Sequence, residues 1–229
     1  MKRFQQIAST LALALVPALI ATQPAQAANL VKNGSFEVTP GAPLNGGWRT
    51  FSEIEGWSAT KGGKIEVQAG VAGKAYDGKN LVELDSHFYD SKASELGLFQ
   101  DIVTKAGKTY ELSFAYSARP GIANNWKGGK DQNAFSVLFG SSFNQVFNAG
   151  NGGSQTNWLN SGPLLVKAVS DLTRLQFNYL GTRDTYGAYI DSVSLTEVAS
   201  TPEPVSLLGL LAVGTAVGVA AKKRQHAID

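Results

Sequence analysis

Apolar side chains recur at every second position along Tyr110, Leu112, Phe114 and Tyr116, with Glu111, Ser113, Ala115 and Ser117 between them. A period of two marks a strand with one buried face. The same signal returns at Phe135, Val137 and Phe139 and again at Leu175, Phe177 and Tyr179. Shorter apolar segments at Ile65-Glu66-Val67, Leu81 to Asp85, Leu98 to Val103, Gln145 to Phe147 and Leu164 to Val169 predict further strands. Trp48, Phe51, Ile54 and Trp57 are spaced irregularly among Gly and Pro, which predicts loops and short strands. Along Ala188 to Val198, Ile190 does not share the parity of Val193 and Leu195, and a bulge near Asp191-Ser192 reconciles them. Residues 28–198 show no long 3.6-residue period. Short strands joined by Gly-, Asn- and Ser-rich turns predict an all-β sandwich.

Two uninterrupted apolar runs flank this region. Met1-Lys2-Arg3, the run from Ile7 to Ile20 and the small-x-small step Ala25-Gln26-Ala27 read as a signal peptide covering residues 1–27. At the other end, residues 199–204 form a linker containing Pro202-Glu203-Pro204, which cannot continue a helix. Residues 205–221 carry no charge and would span roughly 26 Å as a helix, near the short limit for a bilayer. Lys222-Lys223-Arg224 opens residues 222–229, expected to stay cytoplasmic. The expectation is an exported domain held by a transmembrane helix.

The order Pro-Glu-Pro, apolar span, basic cluster resembles the PEP-CTERM sorting tail of bacterial exported proteins. The resemblance covers residues 201–226, with Pro202, Glu203 and Pro204 as the sorting motif. It implies recognition by a membrane-embedded exosortase, cleavage near the tripeptide, and passage from the inner membrane to the cell surface or the medium.

Charge and composition narrow the function. The chain has 20 Lys+Arg and 18 Asp+Glu, and most of the basic excess lies in the two ends. The middle is close to neutral and offers no basic face for nucleic acid. With no Cys, an exported domain must be held by its core or by a metal. Of the two His residues only His87 lies in the domain, so a Ser-His-Asp triad or a His-based metal site would rest on it alone.

The opening Asn29 to Glu37, the step Ile54-Glu55-Gly56-Trp57, the pair Phe99-Gln100-Asp101 to Phe114 and the closing Tyr189 to Leu195 are similar to galactose-binding-like jelly-roll domains, which include bacterial carbohydrate-binding modules. The resemblance implies neighbouring first and last strands and a structural calcium there, with Glu37 and Asp191 among its ligands. The alternative for these two is a pair of turn carboxylates without metal. Calcium needs six to eight oxygens, so backbone carbonyls would complete the set.

Glu83 and Asp85 lie two apart on one strand and therefore on one face. Two carboxylates flanking a sugar can hydrolyse it. No other catalytic signature accompanies them, so a solvated face or loop hydrogen bonding is expected and no catalytic residue is assigned. Trp57 and Trp158 are expected in the core. Trp126 stands among Asn124, Asn125 and Lys127 in a polar loop, either displayed or pinned as a plug. Displayed, it offers a flat face for a sugar ring with amide and ammonium groups beside it. Tyr89 is a second candidate. The expected function is a non-enzymatic surface or matrix protein that binds polysaccharide. The alternatives are a purely structural envelope protein and an exported glycoside hydrolase.

Overall fold

The computed structural model describes residues 27–87, 95–125 and 131–199. The segments 1–26 and 200–229, which hold most of the export signal and the whole of the sorting motif, apolar span and basic tail, lie outside the described residues, as do Tyr89, Trp126 and Lys127. Among the described residues no helix is long and apolar enough to cross a membrane.

Thirteen strands follow in order: β1 (Gly47–Phe51), β2 (Glu53–Ile54), β3 (Trp57–Ala59), β4 (Ile65–Ala69), β5 (Leu81–Glu83), β6 (Gly97–Val103), β7 (Thr109–Ser117), β8 (Ala134–Phe139), β9 (Phe143–Asn148), β10 (Leu159–Asn160), β11 (Leu164–Lys167), β12 (Leu172–Tyr179) and β13 (Tyr189–Glu197). They form two antiparallel sheets. Sheet A has the order β1-β4-β5-β13-β7-β10, with β11 also on β7; sheet B has the order β2-β3-β6-β12-β8-β9. The described region is an all-β sandwich of jelly-roll type.

The period-two segments supply the core. Tyr110, Leu112 and Phe114 of β7 face Phe135, Val137 and Phe139 of β8 and Leu175 and Phe177 of β12, all buried. Phe114 sits at the centre, edge-on to Phe147 at 5.1 Å and to Phe177 at 5.2 Å, a preferred aromatic arrangement. Trp57 is buried as expected and packs against Phe36 and Phe177.

The expected irregularity in the last strand is present. The β13–β7 register shifts between Asp191 and Ser194, and Ser192 takes a left-handed φ of 49°. The shift lets Ile190, Val193 and Leu195 all enter the core. The opening segment runs beside β13 without being a strand: Leu30 N donates to Leu195 O at 2.8 Å and Val193 N to Gly34 O at 3.0 Å. Only glycine fits at Gly34, because a Cβ there would lie 2.1 Å from Val193 O.

Two expectations need correction. Trp158 is not in the core; it is half-buried, its indole N–H donates to Lys74 O at 2.9 Å, and Tyr76 packs edge-on against it. Glu83 and Asp85 do not lie on a solvated face, since neither is more than 1% exposed; of the two expected roles the observed one is loop hydrogen bonding, from Gly187 N to Glu83 and from Asp184 N and Thr185 N to Asp85.

Candidate functional site

The two sheets treat their outer faces in opposite ways. On sheet A the registers align Thr50, Glu66, Glu83, Tyr189 and Ser117 in one row across β1, β4, β5, β13 and β7. The adjacent row, Val67, Val82 and Ile190, belongs to the core, so the first row points away from it. Glu66, Glu83, Tyr189 and Ser117 are nevertheless buried. Loops roof them. The β4–β5 connection crosses the outer face to Asp191, and the β9–β10 connection reaches Ser117, whose Oγ accepts from Asn157 N at 3.1 Å. The two connections interlock: Thr156 Oγ1 and Trp158 Nε1 both donate to Lys74 O.

Under this roof the polar groups satisfy one another, as buried polar groups must. Gln68 Nε2 donates to Glu66 Oε1 at 2.9 Å and to Glu83 Oε2. Tyr189 Oη donates to Gln68 Oε1 and accepts from Arg119 Nη1 at 2.7 Å. Arg119 lies 3.4 Å from Glu83 Oε2 and covers the Tyr186 ring. Gly187 N donates to Glu83 Oε1 at 2.8 Å. Burial pushes the Glu83 carboxyl well above its ordinary range, with Arg119 opposing. Burial likewise raises Asp85 to about 6 against the pull of the amides of Asp184 and Thr185. His87 closes one side of the layer, with Nδ1 2.7 Å from Glu66 Oε2 and its ring stacked on Trp48 at 4.4 Å. Sequence reasoning missed Glu66, Gln68 and Arg119, because alternation in β4 reads the same whether its outer face meets water or a roof.

The closing and opening carboxylates hold the same connection. Asp191 Oδ2 accepts from Tyr76 N and Asp77 N, Asp191 Oδ1 from Ser192 N, and Glu37 Oε1 from Lys79 N and Asn80 N. Burial raises Asp191 to about 7 despite the amides of Asp77, Ser192 and Tyr76. Every hydrogen bond reaching these two carboxylates comes from an N–H donor. That donor set is the one expected of two turn carboxylates that hold the connection by its backbone. The described residues contain no cluster of three or more metal-ligating side chains.

Sheet B is open. Its registers align Glu53, Ser58, Phe99, Gln176, Leu138 and Asn144 across all six strands, and none of the six is buried. Arg174 stacks on Phe99 with its guanidinium carbon 3.7 Å from the ring centre. Asp101 fixes that guanidinium with two bonds of 2.8 Å, and the pair holds the Asp101 carboxyl below its usual value. Gln176 Nε2 donates to Glu95 and Asn178. Beside Phe99 runs a groove of about 580 Å3 whose walls include Glu53, Ser58, Lys61 and Lys64. A flat ring, carboxylates, hydroxyls, amides and ammonium groups thus meet on one accessible strip.

In the loop before β8, Asn124 uses its groups internally: its side-chain Nδ2 donates to Asp131 Oδ1, its Oδ1 accepts from Asn133 N, and its carbonyl accepts from Gln132 N. Asn125 is exposed.

Neither a known family model nor a curated protein sequence matches the chain. Solved structures do. The Stig cyclase Fisc from Fischerella sp. TAU, in complex with (3Z)-3-(1-methyl-2-pyrrolidinylidene)-3H-indole, is 15% identical over 77% of this chain and 100% of its own, with a TM-score of 0.54. A cyclase from Fischerella sp. TAU gives the same identity and coverage at 0.52. Carbohydrate-binding modules also appear, among them a CBM4 structure 17% identical over 73% of this chain and 99% of its own, at 0.41. At these identities the likeness is one of fold.

Proposed function

We propose that this chain is an exported, non-enzymatic β-sandwich that binds polysaccharide at the cell surface or in the extracellular matrix, delivered there by a PEP-CTERM tail. The sorting half of this reading rests on the sequence of residues 1–27 and 201–226. In it, an exosortase-type enzyme processes a chain first held in the inner membrane by residues 205–221.

The binding half rests on one observation: the unroofed row on sheet B with Phe99 in a polar groove. A pyranose presents an apolar C–H face and a rim of hydroxyls; the Arg174 guanidinium already covers one face of Phe99, so a sugar would meet the ring where it lines the groove, beside the polar groups of Glu53, Ser58, Lys61 and Lys64. The loop carrying Asn124, Asn125, Trp126 and Lys127, with Tyr89, is the second candidate surface. Affinity gels of the secreted protein with soluble polysaccharides separate the two. Phe99→Ala is expected to weaken retardation at least tenfold, about 1.4 kcal/mol, and Trp126→Ala to change it little. The reverse ranking moves the site to the loop. No retardation of the wild type by any polysaccharide leaves the purely structural protein.

A further inference from the structure

Two donors that reach the turn between β12 and β13 are each shared among several oxygens. Gln132 Nε2 faces three oxygens, Thr182 O at 2.9 Å, Asp184 Oδ1 at 2.6 Å and Tyr186 O at 3.0 Å, although an amide nitrogen carries two hydrogens. Tyr179 Oη, with one hydrogen, lies against Thr182 O at 2.9 Å and Tyr186 O at 3.1 Å. Asp85 enters the same turn from the end of β5. Its Oδ2 accepts from Asp184 N at 2.8 Å and Thr185 N at 2.7 Å. Thr185 is β-branched yet sits at φ 73°, a strained left-handed position.

Two carboxylate oxygens in this turn have no partner. Asp85 Oδ1 and Asp184 Oδ2 are both buried without a hydrogen bond, and the Asp85 residue is fully buried. Among the described residues the only other buried side-chain atom in this state is Thr39 Oγ1. Orphaned buried acceptors are rare in native proteins, and an ion is one of the things that accounts for them. Two of them, on two carboxylates whose residues meet in this turn, stand beside the carbonyls of Thr182 and Tyr186.

We propose that Asp85 Oδ1 and Asp184 Oδ2 bind a hard divalent cation of the calcium type, with the carbonyl oxygens of Thr182 and Tyr186 available to the same ion. The donor chemistry selects the metal class. Every available ligand is a carboxylate or carbonyl oxygen, and such sets take calcium or magnesium rather than zinc or copper. A turn with several carbonyls suits calcium's larger, flexible shell better than magnesium's strict octahedron. At Asp191, by contrast, both carboxylate oxygens accept from backbone N–H groups. The ion would tie β5 to the β12–β13 turn and, through Gln132, steady the loop that precedes β8.

The test is calorimetric titration of the secreted wild-type protein with calcium at neutral pH after chelator treatment, with melting followed in parallel. One ion per chain and a melting temperature that rises with calcium are expected. Asp184→Asn, at a half-exposed residue that folding tolerates better than Asp85, should weaken calcium at least tenfold and cancel the rise. Glu37→Gln should keep both. The proposal is overturned if the wild type binds no calcium at millimolar concentration, which leaves a shared proton or buried water on the two oxygens. It is equally overturned if Asp184→Asn binds as tightly as wild type.

Discussion

Glu83 illustrates how a single residue changes meaning with what lies above it. Its place in a period-two strand points it away from the core, and that much is legible from Val82 and Leu84 on either side. What covers it comes from residues distant in sequence: Gly187 at 104 positions and Arg119 at 36. No local pattern carries that information, so a buried carboxylate reads as a solvated one. The consequence is testable. Removing Arg119 takes the cation from Glu83 and the N–H donor from Tyr189 Oη in a water-excluded layer, leaving Glu83 only its bonds from Gln68 and Gly187, and breaking such a pair costs several kcal/mol. Arg119→Ala should lower unfolding free energy by about 3 kcal/mol, while Glu83→Gln, which keeps hydrogen-bonding atoms and removes the raised carboxyl, should cost about 1 kcal/mol or less. Urea unfolding of the two variants checks this, and equal losses would argue against a roofed ion pair. Asp191 makes a parallel case in pH. Its folded value of about 7 stands above the unfolded value near 3.8, so the folded state holds the proton more tightly. The stability from this group is complete below about pH 4 and is lost as pH rises through 7. Between pH 4.5 and 7.5 the wild type should lose up to about 3 kcal/mol more than Asp191→Asn. Parallel pH profiles for the two proteins would refute the shift.

At the scale of elements, the strands with clean alternation were readable because burial on one side imposes the period. β7, β8 and β12 lie where Tyr110–Tyr116, Phe135–Phe139 and Leu175–Tyr179 place them. The bulge in β13 was readable for the same reason: Ile190 and Leu195 both need the core, and only an extra residue lets both reach it. The short strands β1, β2, β3 and β10 were not readable individually, since two to five residues hold too little pattern against their Gly-rich surroundings. Trp158 misled because a tryptophan just ahead of a strand resembles core. Its indole N–H instead pins one roof loop to another through Lys74 O. The accessible row on sheet B escaped notice because it is assembled from one residue on each of six strands, and no pair of them is adjacent in sequence.

For the whole molecule, one sealed sheet face and one open one assign different tasks to the two sheets. Sheet A anchors the chain's opening segment, the roof loops and the buried carboxylates; sheet B presents accessible side chains. In the proposed reading, delivery depends on the tail and processing on the tripeptide, so Pro202→Ala with Pro204→Ala should leave the protein in the membrane fraction. Mass spectrometry of the secreted wild type should then find a C-terminus upstream of residue 205, and an intact Asp229 in the medium would contradict processing. The most direct test of the binding surface is amide hydrogen exchange of the secreted protein with and without a polysaccharide that retards it on a gel. Protection concentrated in β2, β3 and β6, with the roofed strands β4 and β5 unchanged, is the result expected from a ligand lying on Phe99 and its groove. Protection confined to residues 121–133, with β2, β3 and β6 exchanging as before, would contradict it.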